Sequence, residues 1–306
     1  MWTFRAWPVI GLQRSSESGA IVAARRPACP ARVCKTGRMP PLSAAPWRDA
    51  PAAALARVRG VFTDIDDTLT RGAGIQAPAL AALNDLAAAG IAVVAVTGRP
   101  MGWSLPFAQA WPVAAIVAEN GAVAMFREGD RLVTEYAQDE ATRSRNAERL
   151  RAVAARVLRE VPGATLARDS AGRVTDIAVD HREFTHLDED AVARVVALMQ
   201  REGMNATVSS IHVNGWYGDH TKLSGARWML RRLWGRELDA EIDRWLYVGD
   251  STNDEAMFAA FPLSVGVANL LDFAERLRQW PAFITTLDRG RGFVEVAEAL
   301  LAARGG

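Results

Sequence analysis

Three aspartates, Asp64, Asp66 and Asp67, stand within four positions, directly after the apolar run Val58-Arg59-Gly60-Val61-Phe62-Thr63 and before Thr68-Leu69-Thr70. Like charges this close repel unless a metal or a shared proton compensates them. In extended chain Asp64 and Asp66 point the same way, so one carboxylate can bind and attack while the other reaches the same reacting atom. An Asx turn or a helix cap would explain Asp-Asp-Thr in isolation. Matching parts elsewhere favour a site. The run Ile91 to Val96 ends in Thr97-Gly98-Arg99, which offers a hydroxyl, backbone amides and a guanidinium to an anion. Arg244 to Val248 ends in Gly249-Asp250-Ser251-Thr252-Asn253-Asp254, a second acidic cluster. Asp250, Asp254 and Asn253 can face one site if a helix begins there. The only lysines are Lys35 and Lys222, and Lys222 precedes a helical run, Leu223 to Trp234. A compact ammonium in an arginine-committed chain points to a need that a planar fork does not meet.

These segments need a scaffold of strand exits, and the pattern supplies one. Helix Pro78 to Ala89 has proline in its first turn and ends at Gly90. It joins the strand run before Asp64 to Ile91–Val96 as a right-handed crossover of a parallel sheet, and Asn84, Asp85 and Gly90 break Ala77–Val96 as a membrane span. Val113 to Ala118 continues the pattern, which resumes with Arg244 to Val248 and Leu263 to Val267. The expected fold is α/β, a doubly wound parallel-sheet core whose ligands bind beyond the carboxyl ends of its strands, with an inserted smaller α/β cap. Residues 52–121 and 217–306 form the core and 122–216 the cap. The cap holds a hairpin (Ala122–Phe126 and Arg131–Tyr136), helices Asp139–Val161 and Asp188–Glu202, and strands in Arg173–Asp180 and Asn205–Trp216. Such a lid can exclude water and select substrate.

In order, D-x-D-x-T, Thr-Gly, Lys and Gly-Asp-x-x-x-Asp resemble the four motifs of the haloacid dehalogenase (HAD) superfamily of phosphotransferases and phosphatases, from about Val58 to the C-terminus. The long insertion between Thr97 and Lys222, with Glu119-Asn120-Gly121-Ala122 and Asn253-Asp254, is similar to the type IIB (Cof-like) subgroup, which includes sugar-phosphate phosphatases. The resemblance implies Asp64 as nucleophile and Asp66 as general acid and base. It implies Mg2+ held by Asp64, Asp66 (through its backbone carbonyl) and Asp250, with Asp254 and Asn253 orienting the ligands. Thr97 and Lys222 would bind phosphoryl oxygens, and Gly98, Arg99, Asn120 and Asn253 would line the phosphate and substrate site.

Composition agrees with a globular enzyme. The chain has 306 residues, 50% hydrophobic, with formal charge +1, which argues against a nucleic-acid-coating protein. Residues 1–51 are rich in Pro, Arg and Ala without periodicity, so they read as a disordered leader dispensable for catalysis. A targeting segment or a start at Met39 are alternatives. Both cysteines, Cys29 and Cys34, lie there, which leaves the folded part without disulfides and points to a cytoplasmic location. His181, His186, His212 and His220 show no ligand spacing. Trp216-Tyr217 reads as core or hinge packing ahead of sugar stacking, and Arg182 as a solvated cap residue ahead of an anion clamp. The expected activity is hydrolysis of a small soluble phosphomonoester, a sugar phosphate above all, by a monomer or dimer without nucleic-acid or membrane partners. A phosphomannomutase-like phosphosugar mutase is the alternative, and an inactive ligand-binding protein a more distant one.

Overall fold

The computed structural model describes residues 44–72 and 74–305. In chain order the elements are β1 (Ala45–Pro46), α1 (Ala52–Leu55), β2 (Gly60–Thr63), β3 (Thr70–Arg71), β4 (Gly74–Ile75), α2 (Ala77–Ala88), β5 (Ala92–Val96), α3 (Met101–Ala110) and β6 (Ala115–Ala118). Then come β7 (Val123–Glu128), β8 (Arg131–Tyr136), α4 (Glu140–Glu160), β9 (Thr165–Leu166), β10 (Asp176–Asp180), α5 (Glu189–Arg201), β11 (Asn205–Val208) and β12 (His212–Trp216). The chain closes with α6 (Lys222–Trp234), β13 (Trp245–Gly249), α7 (Glu255–Ala260), β14 (Leu263–Gly266), β15 (Phe283–Ile284) and α8 (Arg289–Gly305).

Nine strands form the main sheet in the order β1-β15-β14-β13-β2-β5-β6-β7-β8. Pairing is parallel from β1 to β6 and antiparallel across β6-β7-β8. Successive residues of β2 feed opposite faces, as the pleat requires. Val61 joins Leu83, Leu86, Phe293 and Leu300 of α2 and α8 on one side. Phe62 joins Met229, Leu230 and Phe258 of α6 and α7 on the other. Strands buried on both faces are near-continuous apolar runs, which is why β2, β5 and β13 stood out in the sequence. No helix among the described residues is long and apolar enough to cross a membrane.

The inserted segment builds a second, antiparallel sheet, β11-β12-β10-β9, whose Val179 and Val213 pack under Val153, Val157, Val195 and Leu198 of α4 and α5. Asp139 and Asp188 cap these two helices, accepting from Thr142 N and Ala191 N. The opposite face of this sheet is polar, carrying Asp176, Asp180, His212 and Asn214, all buried.

Two expectations change. The hairpin at 122–136, assigned to the cap, extends the core sheet as β7 and β8. The turn at Glu119, Asn120 and Gly121 (φ 50, 55 and 108°) sends the chain straight back beside β6, and β7 buries Val123 to Phe126. Gly121 is obligatory there, since a Cβ would lie 2.1 Å from the Thr221 carbonyl oxygen. The leader also ends earlier than Pro51. Ala45 and Pro46 pair with Phe283 and Ile284, and Trp47 is buried against Phe283 with its Nε1 donating to the Glu295 carbonyl at 3.1 Å. One large aromatic outweighed a composition that read as disordered. The expectations for residues 1–43, including Cys29, Cys34 and Lys35, lie outside the described residues.

Candidate active site

β2 and β13 are neighbours in register, Val248 opposite Thr63, so Asp64 and Asp250 emerge side by side at the carboxyl edge of the sheet. β5 flanks β2 and delivers Thr97 to the same edge. Lys222 is the first residue of α6, fixed by a capping box in which Thr221 and Ser224 exchange side-chain and backbone hydrogen bonds. Its Nζ lies 3.1 Å from Asp64 Oδ1 and donates to Asp254 Oδ1 at 2.8 Å. Asp64, Asp250 and Asp254 bring carboxylate oxygens within 4.8 Å of one another. All of these groups are buried.

The four carboxyl groups differ in what they have left to offer. Asp254 is spent: Oδ1 accepts from Lys222 and the Tyr247 hydroxyl, and Oδ2 from the amides of Asp250 (2.9 Å) and Ser251 (3.2 Å). It arranges the loop and holds Lys222, and has little capacity for a metal. Asp250 has only long contacts, from Thr68 Oγ1 at 3.4 Å and Asn269 Nδ2 at 3.3 Å. Burial and the neighbouring Asp64 and Asp254 carboxylates push it well above the usual carboxylate range. Burial likewise pushes Asp64 up to about 7 against the opposing pull of Lys222. Asp254 and Asp64 hold the Lys222 ammonium above its ordinary value in spite of its burial. One ammonium does not neutralise three buried carboxyl groups. The donor set is oxygen only, which fits a hard divalent cation such as Mg2+ held by Asp64 and Asp250.

Asp66 meets a different partner. Both of its oxygens accept from Arg99 Nε at 3.0 Å, and burial raises it although Arg99 works in the opposite sense. Arg99 was expected to receive an anion. Instead its outer nitrogens donate to Asp169 at 3.1 Å and to Glu183 at 2.8 and 3.2 Å, both on the inserted segment. A guanidinium already shared by three carboxylates has no face left for a phosphate. Glu183 Oε2 also pairs with His212 Nε2 at 2.9 Å. Burial alone would raise Glu183, yet the hydrogen bonds from His212 and Arg99 hold it at about 2.

The inserted segment is tied to this edge at two further points. The Glu119 carboxylate, fully buried, accepts from the amides of Met101, Val174 and Thr175 and from the Thr175 hydroxyl. The Gly98 carbonyl accepts from Arg173 Nη1 at 3.0 Å and Asn214 Nδ2 at 3.1 Å. Backbones touch beside these bonds, where a Cβ on Gly102 would stand 2.9 Å from Gly172 Cα.

Of the remaining expected residues, Thr97 is buried and its Oγ1 accepts from Arg99 N at 3.0 Å, leaving the hydroxyl proton free to donate. Asn120 is buried with Nδ2 unpartnered, a donor without an acceptor beside Gly98. Asn253 does not join the carboxylates; its Oδ1 accepts from Ser251 Oγ at 2.8 Å. His220 is buried against Trp216 with both ring nitrogens unpartnered, pushed down to about 4 by burial. Trp216 donates to the His220 carbonyl, and Arg149 lies over the Tyr217 ring, so this pair packs the return of the chain. Sequence reasoning missed Tyr247, Asn269, Asp169, Glu183 and His212. Asn269 follows the exit of β14 as Asp250 follows β13, a signal that could have found it; the cap residues carry none.

The site thus combines an α/β core with acidic strand exits and an inserted sheet that turns a polar face. Residues 61–146 match the family model for haloacid dehalogenase-like hydrolase. Among solved structures, Thermoplasma acidophilum 0175 superposes with a TM-score of 0.61 at 16% identity, covering 79% of this chain and 98% of its own. A HAD/Cof-like hydrolase from Plasmodium vivax gives 0.59 at 17% identity, covering 82% and 98%. The sucrose-phosphatase from Synechocystis sp. PCC6803, solved with sucrose and phosphate, gives 0.58 at 14%, covering 79% and 98%. No curated protein matches the chain by sequence.

Proposed function

We propose that the chain is a Mg2+-dependent phosphatase that hydrolyses a small soluble phosphomonoester, a phosphorylated sugar or sugar derivative, in a reducing cytoplasmic setting. The observation that carries this reading is the placement of Lys222 between Asp64 and Asp254, with Asp250 alongside and Asp66 two residues from Asp64. In the first step an Asp64 oxygen bonds to phosphorus in line as the ester P–O bond breaks, and Asp66 gives its proton to the departing alcohol. In the second, Asp66 takes a proton from water as the water oxygen bonds to phosphorus and the aspartyl-phosphate bond breaks. Phosphate leaves and Asp64 is restored. Lys222 Nζ and the Thr97 hydroxyl hold phosphoryl oxygens throughout. Asp64, the Asp66 carbonyl and Asp250 would hold Mg2+, which when bound screens the carboxylates and draws charge from the phosphoryl group.

A polar cap face suits a hydroxyl-rich leaving group, and the fold likeness to a sucrose-phosphatase is in keeping with it. A panel of phosphorylated metabolites, scored for released phosphate with and without Mg2+, tests the reading. A product that is an isomeric sugar phosphate, with no free phosphate, would replace it by a mutase. Asp64→Asn keeps shape and removes the nucleophile, so turnover should fall to background while circular dichroism is unchanged. A variant retaining more than a few per cent of the parent rate refutes the assignment.

A further inference from the structure

We propose that Glu183, on the inserted segment, is a positioning residue for Asp66, acting through Arg99, so that the leaving-group acid is seated only when the cap is down. The proposal rests on the phosphatase reading above.

Arg99 stands between the two parts of the molecule. Its Nε and Nη2 lie 3.0 and 2.9 Å from Asp66 in the core, while Nη2 is shared with Glu183 and Nη1 meets Glu183 and Asp169 of the cap. The guanidinium also lies over the ring of Trp103, 4.7 Å from its centre. The side chain is 4% exposed. A planar fork whose Nη1 and Nη2 are held by the cap has one orientation left for the Nε–Nη2 edge, and that edge fixes the Asp66 carboxylate. Glu183 makes the paired contact with Nη1 and Nη2, and His212 holds Glu183 in turn. Lift the cap, and Glu183, Asp169 and His212 leave together, freeing Arg99 and with it Asp66. Glu183 itself touches none of the groups that would hold the phosphoryl unit.

Asp66 also serves the second step, which is common to every ester, so the event that isolates its role as proton donor is release of the leaving group in a single turnover. An aryl phosphate expels a stable phenolate and needs little protonation, whereas an alkyl phosphate needs its oxygen protonated as the P–O bond breaks. We would measure the single-turnover rate of leaving-group release, and the protein concentration that half-saturates it, for 4-nitrophenyl phosphate and for an alkyl phosphate drawn from the substrate panel, using the full chain in excess at saturating Mg2+. Glu183→Gln should lower the rate of alcohol release about 10-fold or more, leave the half-saturating concentration within about threefold, and leave release of 4-nitrophenolate within about threefold. Arg99→Lys retains the charge but not the fork, and should show the same split. Should one variant fold poorly by circular dichroism, the other decides. Equal loss of both release rates, or a change confined to the half-saturating concentration, overturns the proposal. Release of phosphate from no ester by the parent chain overturns instead the phosphatase reading, and this one with it.

Discussion

Lys222 serves two carboxylates from one helix start, and its reach is set by where α6 begins. Arginine there keeps the charge but is longer and planar, so Lys222→Arg should cost about 10²-fold or more in rate, and Lys222→Met at least as much. Full activity in the arginine variant would show that a point charge is not what the site requires. Asp250 allows the opposite kind of test. It is buried among like charges without a cationic partner among the described residues, so it works against the fold unless a cation is bound. Asp250→Asn should raise the unfolding temperature in chelator by roughly 3–5 °C, and abolish any further rise on adding Mg2+. A drop in chelator would contradict the crowding. The residues legible in the sequence are those whose chemistry is packed into short segments at strand exits: Asp64 with Asp66, Thr97 with Gly98, Asp250 with Asp254. Glu183 and His212 were not legible, because each is a lone polar residue with a distant partner: Arg99 lies 84 positions from Glu183, and Glu183 lies 29 from His212. A hydrogen bond between distant segments leaves no local spacing to read.

At the scale of elements, the parallel strands were readable because burial on both faces makes them continuous apolar runs, and helix limits fell within a residue or two because Asp139, Asp188 and Thr221 are side-chain caps. The hairpin β7-β8 carried the same alternation whether it lay on the core or in the cap. Its place was decided by three successive positive φ angles at 119–121, which only the glycine announces. The two-residue strand β1 was invisible for lack of length. Its anchor is Trp47, 4% exposed, and Trp47→Ala should destabilise the fold by about 3–5 kcal/mol in urea unfolding. A cost under about 1 kcal/mol would mean that the β1 edge is an ornament, and that the leader is dispensable as far as Pro51.

For the whole molecule, acid stability offers a test free of catalysis. Burial lowers His181 and His220 to about 4 from an ordinary 6.5. The unfolded chain therefore takes up protons first as pH falls, and stability that is full above 6.5 is lost progressively toward 4. Burial raises Asp176 to about 6, which acts in the opposite sense, so the informative quantity is a difference. Between pH 6.5 and 5, at saturating Mg2+, the parent should lose about 1.5 kcal/mol per histidine more than a His181→Asn, His220→Gln chain. Parallel pH profiles would show that neither histidine is held neutral.

The contact between Gly102 and Gly172 has a bearing on how such chains diverge. Neither glycine needs a left-handed backbone; each is small only because the other is there. A single methyl group at either position would act as a wedge, holding Glu183 off Arg99 without altering any reacting group. No residue smaller than glycine can compensate at the partner position, so in a lineage of this chain both are held at glycine together, and a change that looks neutral in each segment alone would uncouple the lid from the chemistry beneath it.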